Sequence, residues 1–236
     1  MFLKTPVEKL FESASDPEVI SSIWLTLWTS MAGTLIFAIG AIPLAYILAK
    51  KEFRLKRLVA GIIDLPVVIP HSAAGIAVLG FINRETLLGK AGSAIGLDFV
   101  SNPAGIIIAM SFVSIPFLIN SARDGFAGVP LRLEKAALTL GASPRRVFFS
   151  VSMPLAWRNI VSGLILMFAR GMSEFGAVVI VAYHPMITPV LIYERFGAFG
   201  LKYARPVAVL FIIISMTVFV LLRLLSRKKY TDNRSY

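Results

Sequence analysis

The chain has 236 residues, 57% apolar and only 16% charged, a balance that excludes an ordinary soluble domain and marks a membrane protein. It contains no cysteine, which excludes disulfides, thiol catalysis and cysteine-ligated metal. Its formal net charge of +11 would suit a nucleic-acid partner if Lys and Arg shared one face, but they fall between apolar stretches, so no nucleic-acid partner is expected.

Residues 1–18 are too polar for the apolar segment of a cleavable signal peptide and predict an amphipathic surface helix instead. Thr5 is expected to cap it, Pro6 to fill its first turn and Glu8 to complete a capping box, with Val7, Leu10, Phe11 and Ala14 on one face. Asp16 and Pro17 then serve as cap and first-turn residue of the next helix.

Five apolar stretches, at 19–49, 58–82, 103–121, 155–183 and 204–225, are long enough to cross about 30 Å of hydrocarbon at about 1.5 Å per residue. The expected fold is an all-α polytopic bundle, a membrane-spanning domain over 19–225, followed by a basic tail at 226–236. Lys and Arg divide unequally between its two sides. Residues 50–57, 122–158 and the tail from Arg223 hold sixteen; the opposite side holds Lys4, Lys9, Arg84, Lys90, Arg195, Lys202 and Arg205. Because cytoplasmic loops retain basic residues, the N-terminus is expected outside and the C-terminus in the cytoplasm of a cell-membrane protein.

Asp64, Pro66, Pro70 and His71 interrupt the second stretch. Prolines free backbone carbonyls, which hydrocarbon does not satisfy, so this segment is expected to face the interior, as a gate or as a packing kink. His71 reads as a hydrogen-bonded interior histidine, since no second metal ligand lies at helical spacing from it, and His184 opens an external loop. Trp24 and Trp28 read as interface anchors, and Gly33, Gly40, Gly163, Gly171 and Gly176 as sites of close helix approach. In the fourth stretch, Arg170 and Glu174 stand four residues apart, on one helical face. An ionised group at mid-bilayer costs about 2.5–3.5 kcal/mol, so the two are expected to neutralise each other, either packing the bundle or flanking a pathway.

Between the third and fourth stretches, residues 130–154 predict two short helices and a tight turn. Pro130 opens the first helix, and Leu133, Ala136, Ala137 and Leu140 recur at helical spacing. Gly141 closes it in the left-handed conformation, Ser143 caps the second, Pro144 starts it, and Pro154 interrupts the pattern. A DNA-binding helix-turn-helix is excluded, because both ends run directly into apolar spans. There is no Walker A loop: Gly89-Lys90 is followed by Ala91, and Arg84 stands at the leading glycine position. Any ATP that drives the chain must be bound elsewhere.

Glu134, Ala136, Ala137, Gly141, Val151, Met153 and Pro154 resemble, in order and spacing, the cytoplasmic motif of ABC importer permeases: Glu-Ala-Ala, a glycine, then Ile-x-Leu-Pro. Lys135 stands where the strict motif has its Glu, and Val151 and Met153 replace Ile and Leu. Residues 64–79 and 168–179 look like the corresponding spans of molybdate and tungstate permeases, with sulfate permeases a more distant second. Many such relatives carry a further N-terminal span, so the chain reads either as a five-span member or as one whose start codon is placed late. The resemblance implies that Glu134, Ala136, Ala137, Gly141, Ser143, Pro144 and Pro154 form a coupling elbow that docks on an ATPase. It implies a permease homodimer, two ATPase subunits holding ATP and Mg, and an extracytoplasmic oxyanion-binding protein. This chain would hold no cofactor and perform no covalent catalysis. Asp64, Pro66, Pro70, His71, Arg170 and Glu174 are then the pathway or gate candidates, since a fixed, unpaired cation would hold an oxyanion too tightly to release it. The rivals are a sulfate or thiosulfate permease, a stand-alone anion channel or ion-driven carrier, and a membrane scaffold.

Overall fold

The computed structural model describes residues 5–228; the first four residues of the expected surface helix and 229–236 of the expected tail lie outside the described residues. The described chain is helical, in the order α1 (Val7–Ser15), α2 (Pro17–Lys50), α3 (Lys56–Val68), α4 (His71–Ile82), α5 (Leu87–Ala94) and α6 (Pro103–Ala127). There follow α7 (Leu131–Thr139), α8 (Pro144–Val147), a π-helical segment (Phe148–Ser152), α9 (Met153–Met172), α10 (Val178–Val181), α11 (Thr188–Phe199) and α12 (Leu201–Lys228). Four helical runs are long and apolar enough to cross a bilayer: Pro17–Lys50, Pro103–Ala127, Pro144–Met172 and Leu201–Ser226. The fifth expected span is a bent pair, α3 and α4, which turn by 118° at Ile69–Pro70. Pro70 has no amide hydrogen and biases Ile69 toward an extended backbone, so the helix ends there rather than merely kinking.

The centre is built by α2, α6 and α9, which pack along one another and bury Ala38, Ala45, Leu48, Leu118, Phe126, Ile160 and Met167. Their close approach rests on small residues: a Cβ on Gly33 would run into Ser111 Oγ, and one on Gly171 would meet Ser30 Oγ at 2.6 Å. Gly40 has nothing within 4 Å of such a Cβ, so the expected close approach there does not occur. Hydroxyls buried along α2 find acceptors, as the low-dielectric interior requires: Thr26 donates to Ser22 O at 2.6 Å and Ser30 to Phe168 O at 2.7 Å. Trp24, Ile39, Val68 and Ile76 are exposed on the surface of the chain.

Four expectations require correction. Helix α1 starts at Val7 with Pro6 at the cap and no side-chain cap bond, so the Thr5–Glu8 capping box does not form. The predicted span 155–183 ends at Met172; Ser173 through Ala177 leave the helix before α10. The 184–203 loop contains α11, pinned to α2 where the Thr188 amide donates to Thr26 Oγ1 at 2.9 Å. Lastly, Pro154 does not interrupt its helix. The π-helical turn widens the backbone just before it, Met153 N bonding back to Phe148 O, and the missing proline amide is accommodated without a break.

Candidate functional site

The elbow is built as its local sequence dictates. Gly141 N donates to Leu138 O and Ala142 N to Ala137 O, each at 3.0 Å, and Gly141 has φ +86°, the paired-bond closure that needs a left-handed residue. Ser143 then accepts from the Arg146 amide at 3.3 Å, and Pro144 fills the first position of α8. From Pro144 the helical path continues through the π turn into α9, so the elbow's second helix and the spanning helix form one rod of 29 residues.

The two faces of α7 are not as amphipathicity alone would have them. Leu131, Leu133, Leu138 and Leu140 are exposed, as is Ala136, with Ala137 half-buried beside them. Glu134 turns inward and is only 4% exposed. Its Oε1 accepts from Ser152 Oγ at 2.6 Å and lies 3.4 Å from Lys50 Nζ, which also donates to Val129 O at 2.6 Å. Glu134 therefore ties the elbow to the end of α2 and to the π turn, rather than presenting a carboxylate to a partner. Tyr46, Phe126 and Phe148 pack edge-on beneath it, with Tyr46 ring centres 5.2 and 5.0 Å from the other two. Sequence reading did not find Lys50, Ser152, Tyr46 or the two phenylalanines, because nothing local marks them as neighbours of residue 134.

The pathway candidates separate into two places. His71, Arg170 and Glu174 converge where the break between α3 and α4 meets the end of α9. Glu174 Oε2 lies 2.8 Å from His71 Nδ1 and 2.9 Å from Arg170 Nη2, while Oε1 accepts the Ala177 amide at 2.8 Å. Arg170 Nη2 stands 2.8 Å from His71 Nδ1 and 3.0 Å from Nε2. A donor in line with one lone pair would be far from the other nitrogen, so the guanidinium lies over the ring, leaving Nδ1–H to donate to Glu174. Glu174 is 1% exposed, Arg170 23% and His71 44%. The carboxylate is sealed and its two partners are not. The two breaks also touch through backbone: a Cβ on Gly176 would meet His71 Cβ at 2.6 Å, and one on Gly75 would meet Ala177 O at 2.8 Å.

Asp64 does not join this cluster. It accepts from Asn120 Nδ2 at 2.7 Å, in an open groove of about 540 Å³ between α3, α6 and α9 that Ser121, Asp124 and Asn159 also line. Pro66 is buried in α3, and Pro70 is exposed at the bend. Among the described residues, no three His, Asp or Glu side chains gather as a metal site.

Comparison with known proteins agrees with this architecture. The family model for "Binding-protein-dependent transport system inner membrane component" matches residues 41–229. The molybdate/tungstate transport system permease protein WtpB of Methanocaldococcus jannaschii is 46% identical over 214 residues, 91% of this chain and 84% of that protein. A chain of Marchantia polymorpha named "Probable sulfate transport system permease protein cysT" is 32% identical, over 90% of this chain and 75% of its own. Among solved structures, a bacterial ABC transporter involved in importing the acidic polysaccharide alginate superposes with a TM-score of 0.73 at 18% identity, covering 94% of this chain and 83% of its own. That likeness establishes the fold. The chain belongs to the family of binding-protein-dependent transport system inner membrane components.

Proposed function

We propose that this chain is the permease subunit of an ABC importer for molybdate or tungstate, driven by an ATPase on a separate chain. The observation that carries the mechanism is the single helical rod from Pro144 to Met172. At about 1.5 Å per residue it is about 40 Å long, with the elbow at one end and Arg170 near the other. Displacement of the elbow's second helix is therefore delivered along one rod to the His71–Arg170–Glu174 cluster, and α7 is tied to that rod where Ser152 donates to Glu134. The exposed leucines and alanines of α7 supply an apolar surface for an ATPase groove, and Glu134 with Lys50 keeps that surface attached to the bundle.

In this reading two copies enclose one passage, two ATPases bind ATP and Mg, and an extracytoplasmic binding protein delivers the anion. The N-terminus lies outside and the elbow in the cytoplasm. Partly exposed Arg170 offers the passing dianion a positive surface and His71 a polar ring beside it, while Glu174 prevents tight capture. The WtpB likeness favours molybdate or tungstate over sulfate, for which the named relative is 32% rather than 46% identical.

The test is ATP-dependent uptake of labelled molybdate by vesicles holding this chain with its ATPase and binding protein. Uptake that persists without the ATPase would identify a channel or carrier instead. Since the native chain lacks cysteine, a single Ser143→Cys variant reports topology cleanly. Labelling from outside intact cells would overturn the orientation and the coupling role together.

A further inference from the structure

Where α1 lies against the start of α12, the structure holds a pocket of about 340 Å³ lined by Thr5, Pro6, Lys9, Lys202, Arg205 and Pro206. Three of these six residues are cationic, and none is acidic. Elsewhere Arg195 meets Asp16 at 2.7 Å and Glu18 at 2.8 Å, and Arg84 meets Asp98 at 2.8 Å. Among the described residues Lys9 and Lys202 make no ion pair; Lys9 Nζ stands 5.9 Å from the centre of the Tyr203 ring. The pocket thus concentrates positive charge around an open volume, the arrangement that draws in an anion.

Its surroundings say which anion. Val7 and Phe11 lie on the side of α1 opposite Lys9 and are exposed, while Thr5 and Ser13 are buried toward the protein. A helix with Val7 and Phe11 outward, Lys9 on the opposite side and Glu8 and Glu12 exposed between them carries an apolar strip that can rest on the bilayer surface. Leu201 and Tyr203, exposed on either side of Lys202, add apolar contact at the same level. Cations at headgroup depth with apolar side chains beside them match a phospholipid, phosphate inward and chains along the protein. We infer that the α1–α12 pocket binds the phosphate of an anionic phospholipid and so fastens the surface helix to the last span. The ligand group is a tetrahedral oxyanion, a chemistry that free molybdate shares, so the two sources need separate tests.

The experiment uses the full chain, purified and delipidated in non-ionic detergent, with phosphatidylglycerol, phosphatidylcholine and sodium molybdate as probes and native mass spectrometry as readout. Phosphatidylglycerol is expected to bind in preference to phosphatidylcholine. The double variant Lys9→Gln and Lys202→Gln should bind it about thirtyfold more weakly, and Lys202→Gln alone about fivefold. Lys9→Arg with Lys202→Arg, which keeps both charges, should retain binding, as should Lys90→Gln, which lies outside the pocket. Equal binding by wild type and the double glutamine variant would overturn the assignment. Displacement of phosphatidylglycerol by equimolar molybdate would overturn it too, and would make the pocket a site for the free anion.

Discussion

Glu134 and Glu174 are both carboxylates withdrawn from solvent, at 4% and 1% exposure, yet their partners differ in a way that separates structure from transport. Glu134 is closed in by Ser152 and by a lysine whose own side chain is 11% exposed. Glu174 is held by Arg170 and His71, whose outer faces remain open. A buried carboxylate with buried partners can only join elements together. One whose partners, a guanidinium among them, reach into open space can also set the field that a passing anion meets.

The sharpest way to break this comparison is Glu174→Ala. It strips Arg170, His71 and the Ala177 amide of their shared acceptor, and breaking a buried pair in this way costs about 3–5 kcal/mol. A marked drop in melting temperature or loss of accumulated protein is expected; unchanged melting would show that the cluster is not held as described. Arg170→Gln combined with Glu174→Gln removes both charges, and should be milder for stability while altering uptake kinetics. Wild-type kinetics in that double variant would remove the pair from the mechanism.

Glu134→Ala ranks next, at about 1.5–3 kcal/mol for charge-assisted bonds lost beside a nearly buried lysine. Glu134→Gln keeps an acceptor for Ser152 and should lose less than the alanine, a graded response that thermal unfolding can read. A Cβ on Gly141 meets no neighbouring atom, so the main cost expected of Gly141→Val is backbone strain of about 1–2 kcal/mol confined to the turn. Stability should change little while uptake falls and ATP hydrolysis by the partner continues. Coupled transport at the wild-type ratio would refute the elbow's role.

The smallest effect belongs to the surface. Arg195→Ala removes contacts to Asp16 and Glu18 worth about 1 kcal/mol or less. Burial opposes ionisation of Asp16, but the bonds from Arg195 and the Glu18 amide outweigh it and hold the carboxyl below its ordinary 3.8. A depressed folded value stabilises above the unfolded one and loses that contribution as pH falls through the folded value. Unfolding midpoints for wild type and Arg195→Ala should therefore converge below about pH 4. A constant gap from pH 7 to 3 would show that the pair contributes no charge-dependent stability.

What the sequence made legible was local. Ser143, Pro144 and Gly141 specify their turn within four residues, and the structure has each where the pattern puts it. Long apolar stretches were equally readable, since length and hydropathy alone decide them. The end of α9 was not: Phe175 through Tyr183 continue the apolar run, and hydropathy registers burial rather than chain direction. Helix α11 escaped because it is too short to span and its cap, Ile187, makes no side-chain bond. The Arg170–Glu174 pair was read from its spacing, whereas His71 joins it only because two distant breaks pack together, and Lys50 reaches Glu134 only in the assembled bundle.

The widened turn at Phe148–Ser152 also sets an angle. Each residue in an α-helix advances the azimuth by about 100°, so one residue more or less per turn changes the heading of everything beyond it. Were the same residues to run as an unbroken α-helix, the extra residue that the π turn absorbs would swing Arg170 by about 100° around the axis relative to Gly141 and Pro144, whereas deleting one residue there would leave the heading nearly unchanged. The elbow and the charged cluster are thus phased by one local irregularity, and chains that share these end points without it must aim them by another route.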